Sequence, residues 1–236
     1  AITDDGQYHA WTEINVPQRP FEIENVDTVT VPLAQSGYTT EYLRYRITIN
    51  DRPNETNYYR IVIDKQTTLW GYNHEEGGDD YIYWTKHSYN FIGREDVVLT
   101  DGQPTTGDDE DNGLFDTAKN IYGVFDDTRF RNTSYTMTVY NNTKIETGSD
   151  SGYFSGMDVI IRLMSITETE YYYLKALNLV DSDAYDETIN EPIKYPSNVH
   201  GGTGMVEIST EVTQTIHIIS SSHSKGNLAP PVHVYQ

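Results

Sequence analysis

The sequence predicts an all-β fold, an antiparallel β-sandwich or open barrel with one packed α-helix over about residues 168–178. Three observations predict it. Period-two alternation recurs along the chain while helical periodicity is rare. The alternating windows are dominated by Tyr, Thr, Val and Ile, which fit a pleated, half-buried surface. A single capping box precedes the one helical stretch.

Taken in order, residues 7–14 read as a first strand. In residues 42–49, Leu43, Tyr45, Ile47 and Ile49 point one way and Tyr42, Arg44, Arg46 and Thr48 the other, as in a half-buried strand. Asn50-Asp51-Arg52-Pro53-Asn54 has turn chemistry. Alternation then resumes with Tyr59, Ile61 and Ile63 on one face, so the two segments read as neighbouring antiparallel strands. Further strands are expected at 81–86, 135–140, 158–164, 205–208 and 213–219. In the helix, Thr167 caps the Glu170 amide while the Glu170 side chain returns to the Thr167 amide. Ile166 and Tyr171 form a hydrophobic staple, and Tyr171, Leu174 and Leu177 face the core. Residues 70–80, 100–116 and 181–190 read as exposed loops, and there is no internal repeat.

The 236 residues allow one large domain or two small ones, and their apolar content builds a core. With 36 Asp and Glu against 16 Lys and Arg, the formal charge of −20 repels phosphate backbones and anionic membrane faces, so nucleic acid is a poor partner. No window holds the roughly 18 consecutive apolar residues of a membrane span, and the opening AITDDGQYHA lacks a signal-peptide pattern. Without cysteine the chain forms no disulfide, thiolate nucleophile or Cys-ligated zinc site, a composition that suits a cytosolic or an exported bacterial protein equally.

Two loops carry metal-capable or aromatic side chains. In the acidic loop, Asp108, Glu110, Asn112, Gly113 and Asp116 occupy positions 1, 3, 5, 6 and 9 of a calcium loop, although Lys119 stands where a bidentate Glu belongs and flanking helices are missing. That spacing suits Ca²⁺; the alternative is a solvated acidic run. The loop WGYNHEEGGDD presents Trp70, Tyr72, His74, Asp79 and Asp80 as candidate ligand or partner contacts, with no short His spacing for zinc. His217 reads as a satisfied sheet histidine, and His200-Gly201-Gly202-Thr203-Gly204 as a turn into a strand rather than an oxyanion loop, since no Gly-x-Ser-x-Gly elbow accompanies it. Carboxylates are too abundant for composition to nominate a glycosidase pair, so no catalytic residue is assigned. The Asn-x-Ser/Thr matches at Asn54, Asn132 and Asn141 are expected to locate turns rather than glycans.

Five segments, in order, resemble the DUF4249 family, a group of predicted outer-membrane lipoproteins of Bacteroidetes. They are DGQYHAWTEINVP from Asp5, DRPNETNYYR from Asp51, VFDDTRFRN from Val124, EYYYLKAL from Glu170 and EPIKYPSNVHGGTG from Glu191. Asn132 and Thr133 depart from the usual ending of the third. The resemblance implies a lipid-bearing Cys and an Ig-like β-domain upstream. Residues 1–20 would then end a truncated N-terminal domain, and residues 21–236 would form the C-terminal β-rich one.

The resemblance further implies a non-enzymatic, cell-surface lipoprotein, lipid-anchored in the outer membrane, that binds a glycan or peptide ligand or a partner, as an accessory to a TonB-dependent outer-membrane transporter. The alternatives are a structural or adhesin subunit of a surface complex, or a carboxylate-dependent glycan hydrolase. Asp27-Thr28-Val29 and Asp116-Thr117-Ala118 resemble the O-glycosylation motif of exported Bacteroidetes proteins, in keeping with export.

Overall fold

Alternation decides which side chains meet in the core. Tyr45, Ile47 and Ile49, spaced by two, are buried together with Tyr59, Ile61, Ile63, Val159, Ile161 and Leu163 in one cluster. Each such side chain contributes roughly 1.5–3 kcal/mol by leaving water. The computed structural model describes residues 6–35, 38–73, 80–89, 91, 93, 96–102, 120–142, 153–181 and 193–218.

Within them run β1 (Asn25–Gln35), β2 (Tyr38–Asn50), β3 (Tyr58–Asn73), β4 (Asp80–Ser88), β5 (Val124–Asp126), β6 (Ser134–Asn142), β7 (Tyr153–Ile166), α1 (Glu168–Val180) and β8 (Thr210–Ile218). A first antiparallel sheet has the order β1-β2-β6; a second has the order β4-β3-β7-β8, with β5 beside the start of β3. Their inner faces share the core, so the fold is a β-sandwich. No helix among the described residues is long and apolar enough to cross a membrane.

The structure departs from expectation at four places. The segments around Tyr45 and Ile61 are not neighbours: β2 pairs with β1 and β6, whereas β3 pairs with β4, β5 and β7. Each buries one face, so alternation alone suits adjacent strands and facing sheets equally. Residues 7–14 and 205–208 are not strands; an isolated bridge, Trp11 to His200, marks the first of them, and β8 begins only at Thr210. Two strands, β1 and β5, were not anticipated. The expected 70–80 loop is strand at its two ends, because β3 continues to Asn73 and β4 starts at Asp80; residues 74–79 lie outside the described residues.

The helix forms as its sequence dictates. The Thr167 hydroxyl accepts from the Glu170 amide at 3.2 Å, and the staple residues Ile166 and Tyr171 are buried beside Leu174 and Val124. Its far end is tied down by Asn178, which accepts from the Tyr122 amide at 3.1 Å and donates to Asn120 at 3.0 Å.

Candidate partner-binding face

The outer face of the second sheet carries a polar row. With Ile61 and Ile63 turned into the core, Asp64 and Gln66 fall on the opposite side of β3. Gln66 pairs with His87 on β4 and Asp158 on β7, and Asp158 pairs with His217 on β8, so the row crosses four strands. The buried Asp64 carboxylate receives His87 Nδ1 at 3.0 Å and Gln66 Nε2 at 2.7 Å. Asp158 holds His217 Nδ1 at 2.6 Å, with the imidazole 76% exposed. An ionised carboxylate only accepts hydrogen bonds, so each histidine donates from Nδ1 and keeps Nε2 for another group.

The same hairpin carries an aromatic block beyond this row. Trp70 pairs with Tyr83 and with Tyr153, and Tyr72 pairs with Tyr81, giving two cross-strand rows two and three steps of the pleat from Gln66. Tyr83 is 41% exposed, and the exposed Tyr89 ring stacks on His87 at 6.1 Å and 19°. A register shift between Thr68 and Leu69 against β7 bends the sheet where this block begins.

The sequence-nominated contacts fall as follows. Trp70 and Tyr72 belong to β3, and Asp80 opens β4 opposite Asn73. His74 and Asp79 lie outside the described residues, as do Asp108, Glu110, Asn112 and Asp116 of the calcium loop. His217, in β8, is paired with Asp158 of the neighbouring β7, as expected of a satisfied sheet histidine. Asp64 and His87 were not singled out, because a charged residue on the outward face of an alternating strand reads as an ordinary solvent-facing side chain. Asn54 and Asn132 sit at positive-φ positions, as turn residues do, whereas Asn141 is buried in β6. The Thr28 hydroxyl of the Asp27-Thr28-Val29 motif is enclosed in this fold.

Away from this face, two pairs of distant segments meet. Asp51, after β2, accepts from the Tyr59 hydroxyl at 3.1 Å and the Asn132 amide at 2.8 Å, while Asp127, after β5, is bound by Arg131 at 2.9 Å and by the Asn57 amide at 2.8 Å. Burial pushes the Asp51 carboxyl up, and the Asp127 charge adds to the shift; the Asn132 amide, Tyr59 hydroxyl and Arg52 amide oppose it. At the other end, Trp11 and His200 exchange both backbone hydrogen bonds and stack their rings at 4.2 Å. These contacts join the second resembling segment to the third, and the first to the fifth.

Fold and face together define an antiparallel β-sandwich with a single capped helix and an aromatic hairpin beside a His/Asp row. The family model described as a domain of unknown function, DUF4249, matches residues 1–215, and the chain belongs to that family. No curated protein and no solved structure matches the chain.

Proposed function

We propose that the chain is a non-catalytic, cell-surface binding domain, anchored through lipid in the full-length outer-membrane protein and accessory to a TonB-dependent transporter. Its contact surface is the β3–β4 hairpin with Trp70, Tyr72, His74, Asp79 and Asp80, continued by His87 and His217. The observation that carries this is the pairing of Trp70 with Tyr83 and of Tyr72 with Tyr81 beside the Asp64–His87 pair. Rigid aromatic residues flanked by hydrogen-bonding groups make efficient contact area, because they lose little conformational entropy on binding. The carbohydrate, peptide or protein partner is captured without chemistry on it.

The test is affinity purification of the tagged full-length protein from detergent-solubilised membranes of its host, followed by mass spectrometry. A stoichiometric outer-membrane barrel supports the accessory role. A solitary protein overturns it and returns the adhesin, structural-subunit and glycan-hydrolase readings; the last requires two carboxylates about 5–9.5 Å apart in an aromatic-lined cleft.

A further inference from the structure

The outer face of the first sheet carries an open cavity of about 250 Å³, lined by Asn25, Val26, Asp27, Arg46, Thr48 and Thr136. Strand register explains its composition. Ile47 of β2 and Met137 of β6 point into the core and are fully buried, so the residues on either side of each fall on the outer face. Asn25, Thr48 and Thr136 form one cross-strand row there, and Asp27, Arg46 and Thr138 form the next. Six polar side chains thus stand on three hydrogen-bonded strands whose other face is packed, which holds them in place.

The opposite charges among them are not joined. Asp27 and Arg46 are direct register partners on β1 and β2, a position at which opposite charges ordinarily attract. Among the described residues, however, neither side chain makes a hydrogen bond or an ion pair. Other cations are engaged: Arg19 meets Glu22 at 3.1 Å, Arg131 meets Asp127 at 2.9 Å, and Lys175 pairs with Asp101. The side-chain amide of Asn25 is as uncommitted as the Asp27–Arg46 pair, and the Thr48 and Thr136 hydroxyls share one hydrogen bond at 3.0 Å.

This inventory selects the occupant. Arg46 only donates, Asp27 as a carboxylate only accepts, Asn25 does both, and the two threonines together keep one proton and several lone pairs. An apolar ligand would strip water from two charges and return nothing. A simple anion would meet Asp27 and a chain of formal charge −20, and a simple cation would meet Arg46. A small zwitterion satisfies the two charges and leaves the amide and the hydroxyls unused. Neighbouring hydroxyls on a ring serve every group, because each hydroxyl both donates and accepts. Pockets for drug-sized ligands span roughly 300–1,000 Å³, so a cavity below that range suits one ring.

We propose that this cavity binds a single pyranose ring of a neutral sugar, with adjacent hydroxyls donating to Asp27 and accepting from Arg46, and further hydroxyls meeting Asn25 and the Thr48–Thr136 pair. The site lies on the other sheet from the β3–β4 hairpin and does not rest on the reading of that surface. An open, polar site gains little from apolar burial, so its affinity for one sugar unit falls in the millimolar range.

The test is a titration of the isotope-labelled full chain with the methyl glycosides of glucose, galactose and mannose in turn, followed through amide chemical shifts. At least one glycoside is expected to shift the amides of Asn25, Asp27, Arg46, Thr48 and Thr136 saturably, with those of β7 unmoved. Asp27→Ala and Arg46→Met, both outside the core, are each expected to weaken that binding about tenfold or more while melting close to the parent. Tyr83→Ala, on the other sheet, serves as the control and is expected to bind as the parent does. No response to any of the three glycosides, a response undiminished in Asp27→Ala and Arg46→Met, equal weakening in Tyr83→Ala, or a stronger response to glycine or acetate than to the glycosides would each overturn the proposal.

Discussion

The side-chain amide of Asn57 donates to two carboxylates at once, Asp51 Oδ1 at 3.3 Å and Asp127 Oδ2 at 3.1 Å. Both acids are buried, 6% and 0% exposed, and they come from connections of different sheets. Asn57 thus separates two like charges that the fold forces together. Replacing it with Ala removes one donor from each buried carboxylate, at a cost of about 1–3 kcal/mol. Urea unfolding of Asn57→Ala is expected to show a lower midpoint with an unchanged slope; an unmoved midpoint would refute this role.

Gly201 has φ +76°, and a Cβ there would stand 2.2 Å from the His9 carbonyl oxygen. Gly201→Ala therefore has to displace the backbone that carries the Trp11–His200 bridge, for about 1–3 kcal/mol of strain. Exchange of the Trp11 amide, which donates to the His200 carbonyl at 3.0 Å, is expected to accelerate while amides of β7 keep their rates. A Trp11 amide as slow as in the parent chain would rule the strain out.

What was legible in the sequence were the features that local chemistry sets. Tyr45, Ile47 and Ile49, like Tyr59, Ile61 and Ile63, announce their buried face by spacing alone, and Thr167 with Glu170 announces the helix start. Strand β1 was obscured because its inward positions, Val26, Thr28 and Thr30, mix an apolar residue with threonines, while Val29 and Val31 fall on the other face and Pro32 argues against a strand. At three residues β5 is too short to show a period. The assignment of β2 and β3 to different sheets rests on the pairing of β2 with β6 and of β3 with β7, contacts between distant segments that no local window contains. The polar row was hidden for the same reason: Asp64, His87, Asp158 and His217 become neighbours only through strand register.

Tyr171 links the helix to β5 through its hydroxyl, 3.0 Å from Asp126 Oδ2. Burial raises the Asp126 carboxyl, but the Thr128 hydroxyl and amide, the Tyr171 hydroxyl and Lys175 outweigh it, and the net shift is downward. A carboxyl depressed in the folded state adds stability above its unfolded pKa and loses it as pH falls through its folded value. Tyr171→Phe removes one of those donors at a cost of about 1–2 kcal/mol near neutral pH. Its acid unfolding is expected to begin at a higher pH than in the parent chain. Coincident acid limbs, followed by circular dichroism, would show that the hydroxyl does not support Asp126.

Calcium enters as a proposal from the spacing of Asp108, Glu110, Asn112 and Asp116. An ion bound to the native state alone stabilises by mass action, about 2.7 kcal/mol at a hundredfold excess over the dissociation constant. A chelator is expected to lower the melting temperature of the full chain, and added Ca²⁺ to restore it. Asp108→Asn combined with Glu110→Gln should abolish that response. A melting temperature indifferent to chelator and to Ca²⁺ would remove the ion from the account.

The hairpin offers the sharpest separation of binding from folding. Tyr83 is exposed on β4 and pairs with Trp70, while Leu69, on the opposite face of β3, is fully buried. Tyr83→Ala thus removes surface aromatic area and one cross-strand contact, a loss of about 0.5 kcal/mol of stability. At an interface, the same truncation in a desolvated aromatic cluster costs about 2 kcal/mol or more, a drop beyond tenfold in affinity. Tagged Tyr83→Ala protein is expected to melt within a few degrees of the parent and to retain the parent's level in the membrane, while the partner recovered with it falls by at least that factor. Adding Trp70→Ala should deepen the loss of partner. If the double variant still recovers the partner in full, the contact lies elsewhere on the molecule; if instead the single variant unfolds, Tyr83 belongs to the core and the hairpin is not a free binding surface.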